Sequence, residues 1–157
     1  MSVAAPGSDI RELYRELILD HARNPRNFAR MQDATHSADG INPLCGDKLK
    51  LYFRISPDNI IEAAQFEGSG CAISTASASM LTEFVAGMPT ELAMQYFKLL
   101  RQRLGVEAAA VTGALDLGKL RAFEGVREYP SRIKCATLAW HAMKSAINKE
   151  PEPATTE

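Results

Sequence analysis

Three cysteines occur in the 157 residues, each in a neighbourhood suited to presenting a sulfur. Cys45 stands in Pro43-Leu44-Cys45-Gly46-Asp47, Cys71 in Gly68-Ser69-Gly70-Cys71-Ala72-Ile73-Ser74, and Cys135 in Arg132-Ile133-Lys134-Cys135-Ala136. Glycine beside the first two lets the backbone turn sharply and approach closely. Asp47, in the same short segment as Cys45, adds an oxygen donor. Three thiolates and one carboxylate make a four-ligand set that suits tetrahedral zinc. The separations of 26 and 64 residues are unlike paired Cys-x-x-Cys knuckles, so the fold must bring distant positions together.

A free cysteine is often just a small buried hydrophobe. The settings argue otherwise. Cys45 falls at a strand-to-strand corner after Pro43. Cys71 falls where a strand and a Gly-x-Gly turn meet a helix start, where free N–H groups and the helix dipole favour a thiolate. Cys135 is expected in about the first turn of another helix, with the same benefit. On these residues metal binding and thiol chemistry both stay open. A site of this composition carries net negative charge and calls for cations. Arg132 and Lys134 flank Cys135, and Arg132 shares its helix face. An exposed helix start would account for both equally well. Asp47 could serve only the Cys-Gly-Asp turn.

Other sources of chemistry are weaker. His21 ends the first expected helix, where an imidazolium suits the dipole. His36 precedes the first strand, and His141 lies on a different helix face from Cys135. All three read as structural or solvated, and no cysteine has an evident base beside it. Gly68-Ser69-Gly70 lacks the following lysine of a phosphate-binding loop.

The elements that must position these residues follow from periodicity. Residues 1–8 read as a disordered tail. Asp9 and Glu12 resemble a capping box, and Ile10, Leu13, Tyr14, Leu17 and Ile18 follow at helical spacing up to Arg23. A strand is expected over His36–Asn42. Leu49, Leu51, Phe53 and Ile55 alternate with Lys48, Lys50, Tyr52 and Arg54, as in a half-buried strand. A turn at Ser56–Asn59 leads to a returning strand over Ile60–Glu67. Helices are expected over Cys71–Ala86, with many small residues, and over Thr90–Leu104. Weaker helical pieces fall at Glu107–Val111 and Leu117–Phe123, and a last helix starts at Pro130-Ser131. Residues 149–157 read as a second disordered tail. Strands first and helices afterwards predict an α+β domain over residues 9–148, with a three-stranded antiparallel sheet and helices on one face.

Composition narrows the function classes. A net charge of −1, with 24% charged residues, gives no reason to expect nucleic acid or an anionic membrane. No apolar run approaches a bilayer span, and the first residues lack a secretory signal, so a cytoplasmic location is expected. Thiols stay reduced there, and an odd cysteine count argues against a disulfide framework.

The ordered set of motifs resembles the IscU/NifU N-terminal family of iron–sulfur cluster assembly proteins, in its SufU-type branch. The matching pieces are Leu13-Tyr14, Ile18-Leu19-Asp20-His21, Asn24-Pro25-Arg26-Asn27, Asn42 to Asp47, Phe66 to Ser74 and Arg132 to Trp140. Two features point to the SufU branch. Lys134 stands where IscU-type chains have histidine, and the segment from Cys71 to Cys135 is longer, by an insertion within residues 101–125. The resemblance implies an α+β sandwich and zinc held by Cys45, Asp47, Cys71 and Cys135. It implies a pyridoxal-phosphate cysteine desulfurase of the SufS type as sulfur donor, with Cys45 as persulfide acceptor, and downstream iron–sulfur assembly proteins as further partners. Two other readings are a scaffold for a transient [2Fe–2S] cluster, and a zinc-stabilised interaction module without sulfur chemistry.

Overall fold

Alternation makes the inward face of the second strand apolar from Leu49 to Ile55, and that face organises the domain. The computed structural model describes residues 6–107 and 115–156. A first helix α1 (Pro6–Arg23) precedes strands β1 (His36–Asn42), β2 (Asp47–Ile55) and β3 (Ile61–Ser69). Helices α2 (Ala72–Val85) and α3 (Thr90–Arg103), a 3-10 helix (Gly118–Val126), α4 (Pro130–Ile147) and a short strand β4 (Ala154–Thr155) follow.

β1 pairs antiparallel with β2, and β2 with β3. Leu49, Leu51, Phe53 and Ile55 turn to the helices and are buried, while Lys48, Lys50 and Arg54 face outward. α2 and α4 cover the apolar face, α4 running over β1 and β2 and α2 beside β3. α2 is built from small residues: Ala76, Ser77, Ala78 and Ser79 are fully buried. They let α4 come close enough for the Ser77 hydroxyl to donate to the Ala136 carbonyl at 2.5 Å. Trp140 fills the remaining space, with Phe84 against its edge and Phe97 stacked on it.

Three expectations are corrected. The sheet has four strands in the order β3-β2-β1-β4, because Ala154 and Thr155 pair parallel with Gly40 and Ile41. This short strand falls inside the stretch expected to be a disordered tail. The first helix begins at Pro6, inside the other expected tail, so Asp9 lies within the helix and not at its start. Proline suits a first helical position because its missing N–H is one that the helix would leave unpaired.

The weakly patterned segment before α4 also has a structural job. Leu117, Leu120, Phe123 and Val126 are buried, and the 3-10 helix packs on α1 and α4. This part of the expected insertion is therefore core. Residues 108–111 of the expected helical piece lie outside the described residues.

Candidate metal centre

The site forms at the β1–β2 corner, where two helix starts meet it. Asn42 and Asp47 are the last facing pair of the hairpin. Directly opposed residues send their side chains to the same sheet face, and both are buried, at 0% and 1% exposure. The chain reverses through Pro43–Gly46. The Cys45 N–H donates to the Asn42 carbonyl at 3.3 Å, and Gly46 adopts φ +71°, a left-handed conformation that favours glycine. Cys45 is exposed on this loop, beside Leu44 at 71% exposure.

Cys71 is the N-cap of α2, as its sequence setting suggests. Its sulfur accepts from the Ser74 N–H at 3.4 Å. The Cys71 N–H in turn donates to Asp47 Oδ1 at 2.9 Å, and the Cys71 sulfur lies 4.0 Å from Asp47 Oδ2. Gly70 makes this approach possible. A Cβ there would lie 2.5 Å from Ser74 Oγ and 2.7 Å from Asp47 Oδ1.

Cys135 requires a correction. α4 begins at Pro130, which puts Cys135 in the second turn, past the free N–H groups of the helix start. The sulfur is buried, and its neighbour is the Asn42 side-chain amide, whose Nδ2 donates at 3.6 Å. Burial pushes the Cys135 thiol up, and hydrogen bonding with Asp47 and Cys71 pushes it the same way. Without a cation this sulfur keeps its proton at neutral pH. A bound metal ion reverses that balance, since a coordinating thiol is deprotonated outright.

Ligand atoms of Cys45, Asp47 and Cys135 all lie within 4.8 Å of one another, and Cys71 adjoins them through Asp47. The fold thus brings three of the four expected residues within ligand distance of one another, and Cys71 borders the same cleft without joining that group. The three sulfurs open on a cleft of about 290 Å³, shared with Ile73, Ser131 and Arg132. Arg132 also lies over the Tyr129 ring, with its guanidinium carbon 4.6 Å from the ring centre. Lys134 is half-buried and does not line the cleft, so of the two expected cations Arg132 borders it.

No histidine joins the cluster. His21 Nδ1 is 2.7 Å from Ser79 Oγ, and burial holds its pKa down. His36 pairs with Thr35 Oγ1 at 2.8 Å. His141 packs edge-on against Phe97, its pKa lowered to about 4 by burial and by the positive charges of Arg101 and Lys144.

Sequence reasoning missed Asn42, Ser74 and the steric role of Gly70. The spacing of Ser74, three residues after a helix-start cysteine, was a usable signal. Asn42 was hidden because its place opposite Asp47 depends on strand register.

The buried Asp47 carboxylate tests whether a metal fits. Among the described residues no cation lies within ion-pair distance of it, although it stands amid three sulfurs. A buried anion of this kind needs a positive partner. Three soft sulfurs and one oxygen are the donors that zinc prefers.

Fold and site together define a small α+β domain that carries a sulfur-rich candidate metal site on a hairpin corner and two helices. Residues 13–136 match the NifU-like N terminal domain, and the chain belongs to that family. It is 40% identical to the zinc-dependent sulfurtransferase SufU of Bacillus subtilis, over 91% of this chain and 95% of the relative. It is 35% identical to the iron-sulfur cluster assembly scaffold protein IscU of Streptococcus pyogenes, over 90% and 87% respectively. A crystal structure from Fervidobacterium islandicum, of a candidate iron-sulfur cluster assembly scaffold protein for the SUF system, superposes with a TM-score of 0.74 at 29% identity. That match covers 87% of this chain and 98% of the solved one. Among the described residues no helix is long and apolar enough to cross a membrane.

Proposed function

We propose that this chain is a cytoplasmic, zinc-dependent sulfur-transfer protein of iron–sulfur cluster assembly. In this reading Cys45, Asp47, Cys71 and Cys135 hold the zinc. Cys45 accepts sulfur from the persulfide of a SufS-type cysteine desulfurase. The observation that carries the reading is the convergence of the sulfurs and Asp47 at one corner, with only Cys45 on an exposed loop. Support also comes from the 40% identity with a relative named as a zinc-dependent sulfurtransferase.

The chemistry is thiol–disulfide exchange extended to a persulfide. The Cys45 thiolate attacks the outer sulfur of the donor persulfide. A new S–S bond forms on Cys45, the donor S–S bond breaks, and the donor cysteine leaves as a thiolate. The proton on the transferred sulfur travels with it. Zinc, when bound, keeps the buried sulfurs ionised at neutral pH. The chain's own residues do the sorting. Loop 43–46 presents Cys45 to the partner, while the Ser74 N–H and the α2 start hold Cys71. Arg132 borders the cleft and offsets the negative charge of its thiolates.

Elemental analysis of protein purified without added metal should find about one zinc per chain. The second reading, a scaffold for a transient [2Fe–2S] cluster, draws on the likeness to relatives named as scaffold proteins. Iron with labile sulfide and no zinc would favour it. Lys134, in place of the histidine that the resemblance gives IscU-type chains, weighs toward sulfur transfer.

A further inference from the structure

Asn42 ends β1 with no exposed surface and touches two of the three sulfur-bearing segments at once. Its carbonyl accepts from the Cys45 N–H, which closes the hairpin loop. Its side-chain Nδ2 donates to the Cys135 sulfur at 3.6 Å. Its Oδ1 is buried and meets no hydrogen-bond donor among the described residues. Leaving an amide oxygen unpaired in the interior costs stability, so the side chain is held for what its N–H does. A thiolate sulfur is an acceptor only, so an amide that turned its oxygen toward it would set lone pairs against lone pairs. The donor orientation is the one that suits an ionised, metal-bound Cys135.

We propose that Asn42 is a positioning residue of the metal centre, whose amide N–H fixes the Cys135 sulfur as a retained ligand while its backbone anchors the loop of Cys45. The proposal rests on the metal reading above and adds a division of labour to it. A hydrogen bond from N–H draws electron density from a thiolate and makes it a poorer nucleophile. Cys71 receives one from Ser74 and Cys135 receives one from Asn42. The Cys45 sulfur sits instead on the exposed loop, the most accessible of the three. Outer partners of this kind orient metal ligands in general. A carboxylate in place of Asn42 would add charge beside Asp47, and an aliphatic residue would offer no donor.

The test is NMR on the full chain, isotopically labelled at nitrogen and loaded with an NMR-active cadmium isotope in place of zinc. The expected result is a scalar correlation between an Asn42 side-chain amide proton and the cadmium nucleus, transmitted through N–H···S and the Cys135 sulfur. Asn42→Leu, of similar volume, should lose the correlation and bind zinc about 10- to 100-fold more weakly in competition with a chelator. Should that variant fail to fold, the wild-type correlation still decides the matter. Cadmium bound without this correlation overturns the proposal and leaves the metal reading standing. A chain that takes up no cadmium overturns both. A persulfide found elsewhere than on Cys45, with the correlation present, would sink the sulfur-acceptor assignment alone.

Discussion

The two sides of the metal centre are built differently. On one side Cys71 caps a helix, and Cys135 is buried in the second turn of another. Both sulfurs accept N–H groups, and both helices are pinned to the sheet by small side chains and by Trp140. On the other side Cys45 rides a short loop between Asn42 and Asp47, exposed, with an exposed leucine next to it. The same side chain is therefore held by an N–H donor in two places and exposed on a loop in the third. Burial and donors distinguish the three sulfurs, and residue type alone does not.

The comparison breaks most readily at the fixed side. Cys71→Ser and Cys135→Ser should abolish stoichiometric zinc binding and lower thermal stability strongly, because metal binding and folding are coupled. Cys45→Ser should retain part of the zinc and most of the stability, yet accept no sulfur. Zinc analysis and thermal melts of the three variants check this. Equal losses at all three positions would erase the distinction between the sides.

Asp47→Ala comes next. It removes the carboxylate and frees the Cys71 N–H that donates to it. Zinc should remain bound through three thiolates, with an affinity lower by about 10- to 100-fold in a chelator titration, as for removal of a ligand-orienting partner. An unchanged affinity would take Asp47 out of the ligand set. Gly70→Ala should be milder. The added methyl meets Ser74 Oγ and Asp47 Oδ1, so overpacking should cost about 1–3 kcal/mol and weaken zinc binding indirectly. Denaturant titration measures it, and a neutral result would mean that the β3–α2 turn yields without strain.

The smallest effect lies away from the site and serves as a control. His141 has a folded-state pKa of about 4, below its ordinary value of 6.5. Between those values the unfolded chain binds a proton that the folded chain does not. Stability is therefore intact above pH 6.5 and falls as pH drops toward 4, by at most about 3 kcal/mol. His141→Gln should flatten this part of the stability–pH curve without altering zinc stoichiometry at neutral pH.

Much of this arrangement is legible in the chain, and the gaps have physical reasons. The Leu49–Ile55 alternation reads directly as a strand because one face is buried and the other wet. Cys71 at a helix start is legible because a glycine-rich turn precedes it, although β3 runs through Gly68 and Ser69, two residues past the expected end, and the break falls at Gly70. The depth of Cys135 is harder to read, since it depends on whether α4 starts at Pro130 or later, and one turn changes a helix-end sulfur into a buried one. β4 carries no signal, because two residues have no period and their pairing with β1 depends on where α4 releases the chain. Asn42 stays hidden for a related reason. Its role requires both the β1–β2 register and the approach of α4 from 93 residues away.

The central claim is that the exposed sulfur on the hairpin loop receives the transferred atom. Mass spectrometry after incubation with a cysteine desulfurase and cysteine tests it most directly. A gain of about 32 Da, the mass of one sulfur held as a persulfide, should appear on the peptide containing Cys45. An adduct confined to Cys135 would contradict the assignment and route transfer through α4. No adduct on any cysteine, with the desulfurase active, would leave the metal centre purely structural.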